Sequence, residues 1–168
     1  LVHDKAHTMS FDRKEFERPW YTQDDIREIV EHAAQRCIRV VPELNMPGHG
    51  TALLAAYPEL ASAPGPNEAE TIPGIFKPTM NPASEATYRF VEDLIDEMTG
   101  LFPDRYFHTG GDEVDPTHWL ENPEIVDFME TWALSDAHAL QAYFTSRVQR
   151  VLNDRGKVMV AWDEVLHD

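Results

Sequence analysis

Residues 105–114 read RYFHTGGDEV. A short apolar run ends in His108, two glycines follow, and two carboxylates, Asp112 and Glu113, stand side by side. The surroundings of this stretch decide the fold. Ahead of it lies a helical pattern that starts after Ser84, carries Tyr88, Val91, Leu94, Ile95 and Met98, and is punctuated by Gly100. The same unit, helix then short strand, occurs twice more. Thr22 is a good N-cap with Asp24 and Asp25 in the first turn. Ile26, Ile29, Val30, Ala33, Ala34 and Cys37 then mark a helix, and a strand is expected over 38–43. The third unit has Leu140, Tyr143, Phe144, Val148, Val151 and Leu152 on a helix stopped by Gly156, with a strand over 157–162.

Helices alternating with short apolar strands imply parallel strands joined by crossovers. The helix-to-strand breaks are short. The strand-to-helix connections are long, over 44–83 and 109–136, and the first is rich in proline. In parallel α/β folds the ligand site lies at the C-terminal ends of the strands, where such loops gather. The unusual polar residues sit at those ends: His49 after the first strand, Asp112 and Glu113 after the second, Asp163 and Glu164 after the third. No glycine-rich phosphate loop opens a helix, which favours a barrel over a nucleotide-binding doubly wound sheet. A closed barrel of eight units needs about 250 residues, and the chain has 168. The expected fold is therefore α/β, part of a (β/α)8 TIM-type barrel in one domain over 1–168, with parallel strands and long strand-to-helix loops.

Composition narrows the partners. The formal net charge of −16 argues against nucleic acid or an anionic membrane surface, since both require positive patches. A neutral or cationic ligand fits better. Cys37 is the one cysteine, so no internal disulfide forms. No apolar run of about 18 residues suggests a membrane span. The chain opens on Leu1 with no signal peptide ahead of it, which reads as a processed or cut N-terminus.

Adjacent carboxylates pose a chemical problem. On a regular strand neighbouring side chains point to opposite faces, and two carboxylates that flank a glycosidic bond need roughly 5 Å or more between them. After Gly110 and Gly111 the backbone can leave the pleat, so both groups can reach one pocket with different tasks. Like charges close together raise one pKa, which suits a general acid. The bland reading is a solvated acidic turn. A lone histidine such as His49 reads first as a satisfied loop histidine, and Trp162 as a core aromatic or a platform for a sugar ring.

Three motifs, PELNMPGH (42–49), HTGGDEV (108–114) and WDEV (162–165), resemble the family 20 glycoside hydrolases, the β-N-acetylhexosaminidases, in order and spacing. WYTQDDIREIV (20–30) and HWLENPEIVDFM (118–129) are also similar to that family, so the resemblance covers roughly 20–168. It implies hydrolysis of terminal non-reducing β-linked N-acetylglucosamine or N-acetylgalactosamine, with retention and without a cofactor. It implies that Glu113 is the general acid/base and that Asp112 orients the substrate's 2-acetamido group, whose carbonyl is the nucleophile. It further implies that His49 bonds the acid/base, that Trp162 walls the acetamido pocket, and that Trp119 lies in the loop after the acidic pair. Glu164, His108 and Asn45 are implied as supports. The family's substrate-gripping arginine comes from strands before residue 1, and further pocket aromatics come after residue 168. The implied partner is a saccharide bearing N-acetylhexosamine, with no nucleic acid and no membrane span; the compartment leans to extracytoplasmic for the full-length protein.

The chain departs from the family pattern at three places. Asn45 stands where Asp is usual, which keeps the size and one acceptor, loses the charge, and leads to an expected weaker proton relay around His49. Cys37 stands where Gly is usual at a helix end, at a cost of about 1 kcal/mol if its backbone is left-handed. Residues 1–16 do not match; His3, Asp4 and His7 within them read as a polar loop rather than a metal site. Two other functions compete. Gly-Gly-Asp-Glu is also the core of a nucleotide-cyclase hairpin signature, and the chain could be a non-catalytic sugar-binding segment.

Overall fold

The computed structural model describes residues 20–166; His3, Asp4 and His7 lie outside them. Helix α1 (Gln23–Ala34) begins at a capping box. The Asp25 N–H donates to Thr22 Oγ1 at 3.1 Å, and the Thr22 N–H donates to Asp25 Oδ2 at 2.7 Å. Two otherwise orphaned donors are thereby satisfied. The helix ends in a Schellman turn: the Cys37 N–H donates to Ala34 O and the Ile38 N–H to Ala33 O, with Cys37 at φ +58°. The helix thus ends as a glycine would end it, with Cys37 itself in the left-handed region.

Helix α2 (Thr51–Ala56) and a 3-10 turn at Pro58–Leu60 occupy the first long connection, which the sequence reading treats as loop. Helix α3 (Glu85–Leu101) is capped by Ser84. It runs through Gly100 rather than ending there, because burial of Leu101 and Phe102 holds the last turn. Strand β1 (Tyr106–His108) follows. Helices α4 (Thr117–Leu120) and α5 (Pro123–Thr131) fill the second connection, and α6 (Ala137–Asp154) leads through Gly156, at φ +71°, into strand β2 (Val158–Val160).

β1 and β2 pair in parallel, with Tyr106 opposite Val158 and His108 opposite Val160. The expected strand over 38–43 is not a ladder strand. Its end joins β1 through a parallel bridge, Glu43 to His108, and through His108 N–H to Pro42 O, Leu44 N–H to His108 O and Met46 N–H to Thr109 O. Pro42 has no N–H to extend the ladder. The spatial order is thus the 42–46 segment, β1, β2, each step crossing over through a helix.

The core lies between this sheet and the helices. Tyr88, Val91 and Ile95 of α3 and Phe144, Val148 and Leu152 of α6 close on Phe107 of β1. A second cluster joins Trp119, Ile125, Met129 and Leu140 under the second connection. Arg39, in the extended segment, donates twice to the Asp104 carboxylate at 2.7 Å. That contact ties the first strand region to the turn before β1.

Candidate active site

Four of the left-handed residues gather where β1 ends. Gly110 and Gly111 have φ of +67° and +96°, and Glu113 and His49 each have φ of +51°. A left-handed backbone at a residue with a side chain costs about 1 kcal/mol and persists only where the surroundings enforce it. Two such residues, His49 and Glu113, together with the two glycines, explain how neighbouring carboxylates come to face one space. The chain leaves the pleat at Gly110 and does not alternate again.

The two glycines have distinct constraints. A Cβ on Gly110 would overlap the side chain and Cα of Asn45, and one on Gly111 would overlap Val165 Cγ1. The buried Gln141 of α6 donates to Gly111 O at 2.7 Å. Asp115 accepts the Thr117 N–H at 2.9 Å at the start of α4. Hydrogen bonds from the Thr117 side chain and N–H hold the Asp115 carboxyl below the usual carboxylate range. The acidic pair therefore sits between two anchored points.

His49 Nε2 lies 3.6 Å from Asp112 Oδ2 and 3.4 Å from Glu113 Oε2, within ion-pair range of both and longer than a good hydrogen bond. The Asp112 side chain is 24% exposed and that of Glu113 50%; Glu113 is the one open to solvent. Asn45 donates through Nδ2 to Asp112 Oδ1 at 2.9 Å, while its Oδ1 accepts the Gly111 N–H at 3.2 Å. Its two hydrogen bonds thus run to Asp112 and the glycine backbone and not to His49. Across the mouth, the half-exposed Trp162 donates its indole N–H to Glu43 Oε1 at 3.3 Å and meets the His108 ring edge-on at 5.0 Å between centroids. His108 Nδ1 accepts the Gly110 N–H at 3.0 Å, so its 3.4 Å approach to Glu43 Oε1 is not a hydrogen bond.

Glu43, Asn45, His49, Asp112, Glu113 and Trp162 line one cavity of about 1060 Å³. His108 supports it from behind. Trp119 is buried in the second core cluster and donates its indole N–H to Met80 O at 3.0 Å; it lies outside the cavity wall. Glu164 is exposed in the 3-10 turn Asp163–Val165 and also lies outside that wall. The sequence reading missed Gln141, whose polar side chain among Leu140, Phe144 and Val148 was the available signal. It also missed the segment 70–76, which closes the far side of the cavity with Ile72, Ile75 and Phe76. Ligand-type atoms of His49, Asp112 and Glu113 lie within 4.8 Å of one another, a span a cation would also accept.

A parallel helix–strand series with carboxylates, a histidine and an indole at the strand C-terminal ends defines a barrel-mouth site. The parallel pairing of β1 with β2 also removes the cyclase reading, which needs the Gly-Gly-Asp-Glu in a hairpin. The catalytic-domain model of glycosyl hydrolase family 20 matches residues 2–168, a span that includes residues 2–19, which the sequence reading leaves unmatched. A β-hexosaminidase of Porphyromonas gingivalis is 41% identical over 147 residues, covering 88% of this chain and 19% of that protein. The chitobiase of Flavobacterium johnsoniae superposes with a TM-score of 0.85 at 43% identity over 89% of this chain and 23% of its own. An exo β-N-acetylglucosaminidase of Vibrio harveyi, solved with N-acetylglucosamine, gives 0.77 at 33% identity over 89% and 24%. The chain belongs to glycoside hydrolase family 20 and forms part of that family's TIM-barrel catalytic domain. It spans about a fifth to a quarter of the length of these relatives.

Proposed function

We propose that the full-length protein hydrolyses terminal non-reducing β-linked N-acetylglucosamine or N-acetylgalactosamine with retention, the substrate's own 2-acetamido carbonyl acting as nucleophile. The observation that carries this reading is the convergence of Asp112 and Glu113 on one histidine nitrogen, at 3.6 and 3.4 Å, in one cavity. Adjacent carboxylates that share one histidine nitrogen, with ligand-type atoms within 4.8 Å of each other, are poorly placed to be an acid and a separate attacking group on opposite sides of a bond. They can serve as an acid and a brace.

Glu113, the more exposed of the two, exchanges protons with water; it protonates the departing sugar oxygen and then takes a proton from the incoming water. Asp112, held by Asn45, accepts a hydrogen bond from the acetamido N–H and stabilises the charge that develops as the carbonyl oxygen attacks C1. His49 sits between them. Trp162 offers an apolar face to the acetamido methyl and a polar edge to Glu43. A non-catalytic sugar-binding segment is not favoured, because both carboxylates and the histidine are together.

Glu113→Gln in the full-length protein tests the reading. The expected result is a fall in kcat of about 10²-fold or more for substrates with poor leaving groups, the range of general acid catalysis, and a smaller fall for activated aryl leaving groups. Near-normal rates on both would remove Glu113 from the acid role.

A further inference from the structure

We infer that Asn45 is a positioning residue that holds Asp112 as a hydrogen-bond acceptor, so that the alignment of Asp112 does not depend on a proton shared between two carboxylates. The inference rests on the proposed hydrolysis for its kinetic arm and on geometry alone for its stability arm.

The two partners of Asn45 fix which way its amide faces. The Gly111 N–H can only donate, so the atom 3.2 Å from it is Oδ1. The atom 2.9 Å from Asp112 Oδ1 is then Nδ2, a donor facing a carboxylate. An aspartate in this place would keep the bond from Gly111 through one oxygen. Its other oxygen would face Asp112 Oδ1 across 2.9 Å, and two carboxylate oxygens at that distance need one proton between them. With Asn45 no such proton is required. The amide also leaves Asp112 Oδ2 free to face His49 and the substrate.

The titratable groups facing Asp112 are His49, from the loop after the first strand segment, and Glu113 beside it. Glu43 and Glu70 line the same cavity, and the α6 side chain that touches this loop, Gln141, carries no charge. In the substituted pair the shared proton sits on a carboxyl whose affinity is raised by folding. The stability it lends is present at low pH and lost as pH rises through the titration of the pair.

The test uses Asn45→Asp, Asp112→Asn and the double exchange in the full-length protein. Melting temperature against pH is expected to fall for Asn45→Asp relative to wild type as pH rises from about 5 to about 8. In the double exchange, with one carboxylate and one amide restored in reverse order, that extra pH dependence is expected to vanish. On an aryl N-acetylglucosaminide, the rate of Asn45→Asp relative to wild type is expected to drop about tenfold or more across the same interval. Superimposable stability profiles of Asn45→Asp and wild type would overturn the inference whether or not the protein is active. An inactive wild type with divergent stability profiles would overturn the hydrolase reading and leave the role of Asn45 standing.

Discussion

At the residue scale the puzzle of Asp112 beside Glu113 resolves into backbone geometry. Gly110, Gly111 and Glu113 all have positive φ, so strand alternation stops before the acidic pair begins. The glycines themselves were legible in the sequence; their reasons were not. Gly110 is required by the approach of Asn45, 65 positions earlier, and Gly111 by Val165, 54 positions later; no local pattern encodes such contacts. Trp119 shows the converse. Its place in the motif implied a loop after the acidic pair, yet it sits in helix α4 and packs against Ile125, Met129 and Leu140 in a core. Trp119→Ala is expected to destabilise the full-length protein by about 3 to 5 kcal/mol, as aromatic truncations in cores do, with the urea midpoint as the measure. Asp112→Asn is expected to slow acetamido substrates far more than it changes their KM, which initial-rate kinetics would resolve.

At the scale of elements, helices read most clearly. The Thr22 and Ser84 caps and the Gly156 stop all stand where the residue types demand, because those signals act within one turn. The first strand read poorly, since its pairing depends on β1 and is interrupted by Pro42. The short helices α2, α4 and α5 were hidden in long connections, the first of them proline-rich, that read only as loop. The turn at Cys37 yields a direct prediction. Its side chain is exposed and its φ is +58°, so Cys37→Gly relieves a left-handed residue without removing a contact. Unfolding by urea should show a gain of about 1 kcal/mol, less the entropy that glycine adds to the unfolded chain. The Arg39–Asp104 pair gives another. Hydrogen bonds from the Arg39 guanidinium, then from the Tyr106 N–H, push the Asp104 carboxyl down to about 2. A depressed carboxylate stabilises the fold above its unfolded pKa and ceases to do so as pH falls through the folded one. Asp104→Asn should therefore flatten the acid limb of the stability profile between about pH 4 and pH 2, whereas an unchanged limb would assign it to other carboxylates.

At the scale of the molecule, three parallel segments and the helices that cross between them bring every site side chain but those of the second core to one end of the sheet. Ile38, Val41, Val158 and Val160 remain partly exposed along the sheet, as suits part of a barrel. The order of the site along the chain was legible because each strand end carries its own motif, while the shape of the cavity was not, since its far wall comes from residues 70–76 in a connection without periodicity. In the proposed reaction the substrate supplies its own nucleophile, and Asp112 and Glu113 serve it. The most direct measurement compares kcat/KM of the full-length protein for an aryl β-N-acetylglucosaminide and for the matching β-glucoside with the same leaving group. Rapid cleavage of the first is expected, with a loss of about 10³-fold or more on the second, because removing the acetamido group removes the attacking atom. Equal cleavage of the two would contradict it.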